Sequence, residues 1–143
     1  MNKTELFDRV NNSFARQGLM RFWGAQLQHV DAGSCEIWLA FSDKVSQQQG
    51  TFHGGALGAL ADIAGGYAAL TLAPAGMEVT TVEYKINFLA ACTGGILRAK
   101  GRVLKAGKRV MVTSAEVWHV DSAGASTLCA VLQQTIVPVP IKS

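Results

Sequence analysis

The sequence predicts an α+β fold in which an antiparallel sheet curls around one long buried helix. Two observations carry that expectation. The segment ALGALADIAGGYAALTLA is apolar on every side and rich in helix formers, as a helix buried all round must be. On both sides of it the chain alternates apolar and polar residues with period two, the mark of strands that bury one face.

Taken in order, Leu6, Phe7, Val10 and Phe14 recur at helical spacing, Asn2 and Glu5 form a capping pair, and Gly18 stands where a helix stops. A first helix is expected over residues 3 to 17. Alternation from Phe22 to Val30 and from Ser34 to Phe41, with Cys35, Ile37, Leu39 and Phe41 on one face, predicts two paired strands joined by the turn DAG. A polar, Gln-rich stretch over residues 42 to 52 leads into the central helix, which is expected to end near Pro74. Alternation then returns over about 78 to 90, 95 to 105, 108 to 120 and 126 to 137, divided by TGG, KAGK and DSAGA. Four consecutive antiparallel strands are expected. No repeat or linker interrupts this order, and 143 residues suit a single domain.

Only 16% of the residues are charged, against roughly 25% in an average soluble domain, so apolar surface is left for a further subunit and a homo-oligomer is expected. The charged start MNKTELFDRVNN lacks the apolar run of a signal peptide, which points to a cytoplasmic protein. Cys35, Cys92 and Cys129 are odd in number and without CxxC spacing, which argues against a disulfide framework and a zinc site. A net charge of +3 does not by itself indicate nucleic acid. Its distribution says more, because Arg98, Lys100, Arg102, Lys105, Lys108 and Arg109 fall close together and no acid lies between Glu83 and Glu116. That is an anion-attracting patch or a solvated strand face, and the RNA reading lacks an RNP-type aromatic motif.

Between His53 and Glu78 the only charged residue is Asp62. An unpaired buried carboxylate is costly, so its presence among Ala, Leu, Ile and Gly asks for a reason, either structural pairing or chemistry. His53, Gly54 and Gly55 precede the helix, and the two glycines leave backbone N–H groups at the positive end of its dipole, where a developing oxyanion or a substrate oxygen binds. His53 itself admits three roles: orienting residue, general base or helix cap. His29, His53 and His119 show no metal-ligand spacing, so no metal is expected. No GxSxG, GxxxxGK[ST] or GxGxxG occurs, and nothing near Cys92 in sequence would activate its thiol. Residues 54 to 77 approach a membrane span in length, but Asp62, Pro74 and the alanine-rich composition oppose membrane insertion.

GTFHGGALGALADIAGGYAAL followed by TVEYKINFL resembles the hotdog-fold thioesterases of the phenylacetic-acid-degradation type, over about Gly50 to Val137. The resemblance implies hydrolysis of an acyl-CoA thioester without a cofactor, with Asp62 as base or nucleophile, the Gly54 N–H polarising the thioester carbonyl and His53 supporting the loop. Many relatives carry Asn six residues before the motif His, where this chain has Gln47. Relatives also place a Ser or Thr on the strand after the helix to hold the water, a role open here to Thr80 or Thr81. Arg102, Lys105, Lys108 and Arg109 become candidates for holding coenzyme A phosphates. Gly54 and Asp62 are eight residues apart, or about 12 Å along one helix, so both reach one carbonyl only if two antiparallel helices from paired subunits share the site. A hotdog hydratase would need a His soon after Asp62, and none follows until His119. A non-catalytic acyl-CoA or lipid-binding module would use the same tunnel and basic patch, and release of free thiol separates it from an enzyme.

Overall fold

The computed structural model describes residues 1–142. Helix α1 (Lys3–Phe14) starts where the Asn2 side chain accepts the Glu5 N–H, and it buries Leu6, Val10 and Phe14. The expected extension to residue 17 does not occur. The chain turns after Phe14, and Gly18 opens a second short helix, α2 (Gly18–Trp23), which seats Met20 fully in the core and closes on Gly24 with positive φ. Phe22 and Trp23 are therefore helical, and the first strand, β1 (Gln26–Asp31), starts later than alternation alone suggested.

β1 pairs with β2 (Ser34–Ala40) through a turn at Gly33, which has positive φ. The central helix α3 (Gly54–Leu70) ends before Pro74, at Thr71. The Thr71 hydroxyl donates to Ala68 O and accepts from Gly33 N–H, so one side chain ties the helix end to the β1–β2 turn. Strands β3 (Met77–Phe88), β4 (Ile96–Ala106), β5 (Met111–Val120) and β6 (Ser126–Pro140) follow.

All six strands form one antiparallel sheet in the order β1-β2-β4-β5-β6-β3. Four consecutive strands do follow the helix as expected, but their order in the sheet is not their order in the chain. β4, β5 and β6 form a meander, but β3 lies beyond β6 at the far edge, because the link after Phe88 leaves across the end of the sheet. There Cys92 O accepts from Phe52 N–H and Gly95 O from Phe41 N–H, setting β4 beside β2. The same path brings Cys92 into disulfide contact with Cys129 across 37 residues of sequence, and Cys35 is the free, buried cysteine. The odd cysteine count had argued against any such bridge.

The sheet wraps α3 closely because small residues face it. A Cβ on Gly101 of β4 would stand 2.3 Å from Ala64 O. Among the described residues no helix is long and apolar enough to cross a membrane.

Candidate active site

Asp62 lies in mid-helix on the side of α3 that faces β3 and β6, half-buried. Thr81 Oγ1 donates to Asp62 Oδ1 at 2.8 Å. Met77, Val79 and Thr81 share the inward parity of β3, which turns Thr80 outward and exposed, so the structure separates the two threonines. Between Thr81 and Glu83 the β3–β6 register slips by a bulge, and beyond it the even positions Tyr84, Ile86 and Phe88 face α3. Such bulges re-aim side chains beside functional sites.

A residue that sequence reasoning missed completes this cluster. Gln134 of β6, buried to 1% exposure, donates from Nε2 to Asp62 Oδ1 at 2.6 Å and reaches Thr81 Oγ1 at 3.2 Å. Its Oε1 accepts from Thr113 Oγ1 at 2.7 Å, directly across the β5–β6 pair. The signal in the sequence was a polar residue at the inward position between Leu132 and Ile136. Its neighbour Gln133 masked which of the two faced the core. Neither ion pair among the described residues involves Asp62.

Asp62 and Thr81 open into a cavity of about 320 Å³ between α1, α3 and β3. At its side Tyr67 Oη, bonded to Ser13 Oγ at 3.0 Å and Gln17 Nε2 at 2.8 Å, joins α3 to α1 and the turn after it. Burial raises the Tyr67 phenol above its ordinary range, so it stays a neutral hydrogen-bonding group.

The helix N-terminus is built differently. His53 caps α3: its Nδ1 accepts from Gly55 N–H at 2.7 Å, which leaves the ring proton on Nε2, and its own N–H donates to Val45 O. Gly55 N–H is thus engaged within the chain by the His53 cap. Gly54 N–H meets no protein acceptor among the described residues. Gly54 lines a second cavity of about 350 Å³ with Leu57 and Phe88, the Phe88 ring packing so closely that a Cβ at Gly54 would lie 3.3 Å away.

Gln47 folds onto its own turn, its side-chain oxygen accepting from Gln49 N–H and, at 3.5 Å, from Thr51 N–H. It braces the loop that leads to His53 and is not gathered around Asp62. Arg98 is taken by Glu36 at 3.1 Å. Lys100 and Arg102 stand exposed on the outer sheet face, and Lys105, Lys108 and Arg109 on the β4–β5 hairpin. None of these lines the Asp62 or Gly54 cavity.

An antiparallel sheet closed around one long helix is the hotdog fold, and comparison with solved structures agrees. A thioesterase family protein from Silicibacter pomeroyi superposes with a TM-score of 0.91 at 29% identity, covering 95% of this chain and 99% of that one. The PaaI protein of the E. coli phenylacetic acid degradation operon shares the fold, with a TM-score of 0.84 at 20% identity over 96% of this chain and 95% of its own. Residues 49–126 match the family model of the thioesterase superfamily. A Saccharolobus solfataricus protein named as a candidate esterase is 31% identical over 121 residues, 85% of this chain and 77% of its own length. The chain belongs to the thioesterase superfamily.

Proposed function

We propose that the protein hydrolyses acyl-CoA thioesters to the free acid and coenzyme A at a site shared by two subunits. The observation that carries this reading is the division of labour along α3. A carboxylate held by two neutral donors and in no ion pair among the described residues lines one cavity, while Gly54, whose helix-start N–H meets no protein acceptor among them, lines another. Along one helix axis the two groups are about 12 Å apart. A thioester carbonyl needs both within about 3 Å.

The β3 edge supports the pairing. Val82 and Phe88 are 56% and 55% exposed, with Tyr84 and, just past the strand, Leu89 exposed beside them on a long strand whose outer edge has no partner among the described residues. Such an edge recruits another strand. Two copies joined edge to edge about a two-fold axis run their α3 helices antiparallel, which carries Gly54 of one toward Asp62 of the other.

In the reaction, Asp62 either takes a proton from water as that water adds to the carbonyl carbon, or attacks the carbon itself before water releases the acid. The partner's Gly54 N–H stabilises the oxyanion. The C–S bond breaks as the tetrahedral carbon collapses, and the departing thiolate takes up a proton. Water, carboxylate and amide suffice without a metal or cofactor. Arg102, Lys105, Lys108 and Arg109 supply positive charge for the nucleotide phosphates. The test is release of free thiol from a panel of acyl-CoAs by the wild type and by Asp62→Asn. Turnover that Asp62→Asn abolishes supports the reading, and stoichiometric binding without turnover contradicts it.

A further inference from the structure

We infer that Gln134 is a positioning residue that pins one oxygen of the Asp62 carboxylate and leaves the other free for the reaction. The inference rests on the proposed catalytic role of Asp62. Both donors that reach this carboxylate, Thr81 Oγ1 and Gln134 Nε2, go to Oδ1. Among the described residues Oδ2 has no protein partner, while Asp62 lines the cavity. A carboxylate held at one oxygen cannot turn, and its free lone pairs keep one direction.

The amide is itself fixed one way round. A carboxylate only accepts, so the side of Gln134 that faces Asp62 must be the nitrogen, and the oxygen then faces Thr113. Thr113, fully buried, donates to that oxygen. A flipped amide would set its oxygen against Asp62 Oδ1, acceptor against acceptor. The carboxylate thus sets which end of the amide it meets, and Thr113 anchors the other end.

The helix makes room for this arrangement. A Cβ at Gly65 would stand 1.8 Å from Gln134 Oε1 and 2.8 Å from Thr113 Oγ1. Glycine in mid-helix is unfavourable, and no turn or positive φ asks for it at this position. The other inward residues of β6, Ala130, Leu132 and Ile136, are apolar and buried. An apolar side chain at position 134 would fill a core of this kind without a glycine opposite. The polar relay Thr113–Gln134–Asp62 is what the glycine admits.

The experiment compares Gln134→Met, which keeps length but not the donor, Gln134→Glu and Thr113→Val with the wild type. Steady-state kinetics are run from pH 4 to 9, the Asp62 side-chain carbon is titrated by NMR, and thermal unfolding confirms that each variant folds. Gln134→Met should lower kcat by about 10- to 100-fold and leave KM within about twofold. Its acid limb and the Asp62 carbon titration should both move to higher pH, since the charged carboxylate loses a donor. Gln134→Glu should move both further, because two adjacent carboxyls resist ionising together. Thr113→Val should move them in the same direction by less. A folded Gln134→Met with wild-type kcat and an unmoved Asp62 titration would overturn the inference, as would a loss of kcat that only tracks lost stability. Asp62→Asn retaining full turnover would overturn the proposed function instead, and the carbon titration still reports whether Gln134 sets the carboxylate.

Discussion

The middle and the start of α3 solve the same problem, presenting a polar group in an apolar surround, in opposite ways. At Asp62 the chain supplies everything itself: the carboxylate is held by side chains from β3 and β6, and behind them Thr113 of β5 bonds the far end of the amide. At Gly54 it supplies only a backbone N–H, an exposed capping histidine and a phenylalanine left half in solvent. The carboxylate half is finished within one chain. The amide half is open and asks for cover, and the exposed β3 edge beside it is where cover would dock.

If that contrast holds, damage to the finished half removes chemistry while leaving binding alone. Asp62→Asn should lower kcat by at least about a hundredfold, the lower range for a lost acid or base, with nearly unchanged KM in steady-state kinetics. A step down in size, Thr81→Val should lower kcat by about tenfold through loss of one donor to the carboxylate, whereas Thr80→Val, on the outward face, should not. Equal effects of the two would remove the basis for choosing Thr81.

The basic residues lie outside both halves, so their effect should fall on binding. Charge reversal at Lys105 or Lys108 should raise KM for CoA esters about three- to tenfold and leave a truncated thioester lacking the nucleotide unaffected. Equal effects on both substrates would assign the hairpin to folding or solubility.

The smallest effect belongs to Glu36, remote from either half. Burial pushes its carboxyl upward, but hydrogen bonds from Trp38 and Arg98, with the Arg98 charge, outweigh that and hold it below the ordinary carboxylate range. A lowered folded value adds stability that is complete at neutral pH and fades as pH falls through that value. Glu36→Gln should therefore lower Tm by about 2–5 °C at pH 7, and the gap to wild type should close on acidification below about pH 4. Turnover at pH 7 should not change.

What the sequence disclosed follows from how far each feature depends on distant neighbours. The helix α3, its lone acid and its glycine-rich start are local patterns and were legible as such. The choice between Thr80 and Thr81 needed only the parity that Met77 and Val79 set, but the bulge after Thr81 blurred that alternation. Gln134 and Thr113 were hidden because their meaning lies in the β5–β6 register and in a glycine on another element. Met20 drew residues 18 to 23 into a helix that an apolar–polar alternation at Phe22 disguised. The place of β3 beyond β6, and the meeting of Cys92 with Cys129 that follows from it, depend on a crossing that no periodicity records.

The central claim, that each site draws Gly54 from one subunit and Asp62 from the other, is tested most directly by mixing two defective chains. One carries Asp62→Ala and the other Gly54→Pro. Proline suits the first helical position, where it deletes the N–H, and His53 before it already has the extended backbone that proline requires. The Phe88 ring must give by a few tenths of an ångström. Either homodimer alone should be inactive. In a mixed dimer one site receives intact Gly54 and intact Asp62 from different chains, and the other receives both defects. Random reassortment makes about half of all dimers mixed, so the co-refolded sample should recover roughly a quarter of wild-type activity per site. With mass spectrometry confirming that mixed dimers formed, no recovered activity would contradict the shared site and place the carbonyl's hydrogen-bond donor on the chain that carries Asp62.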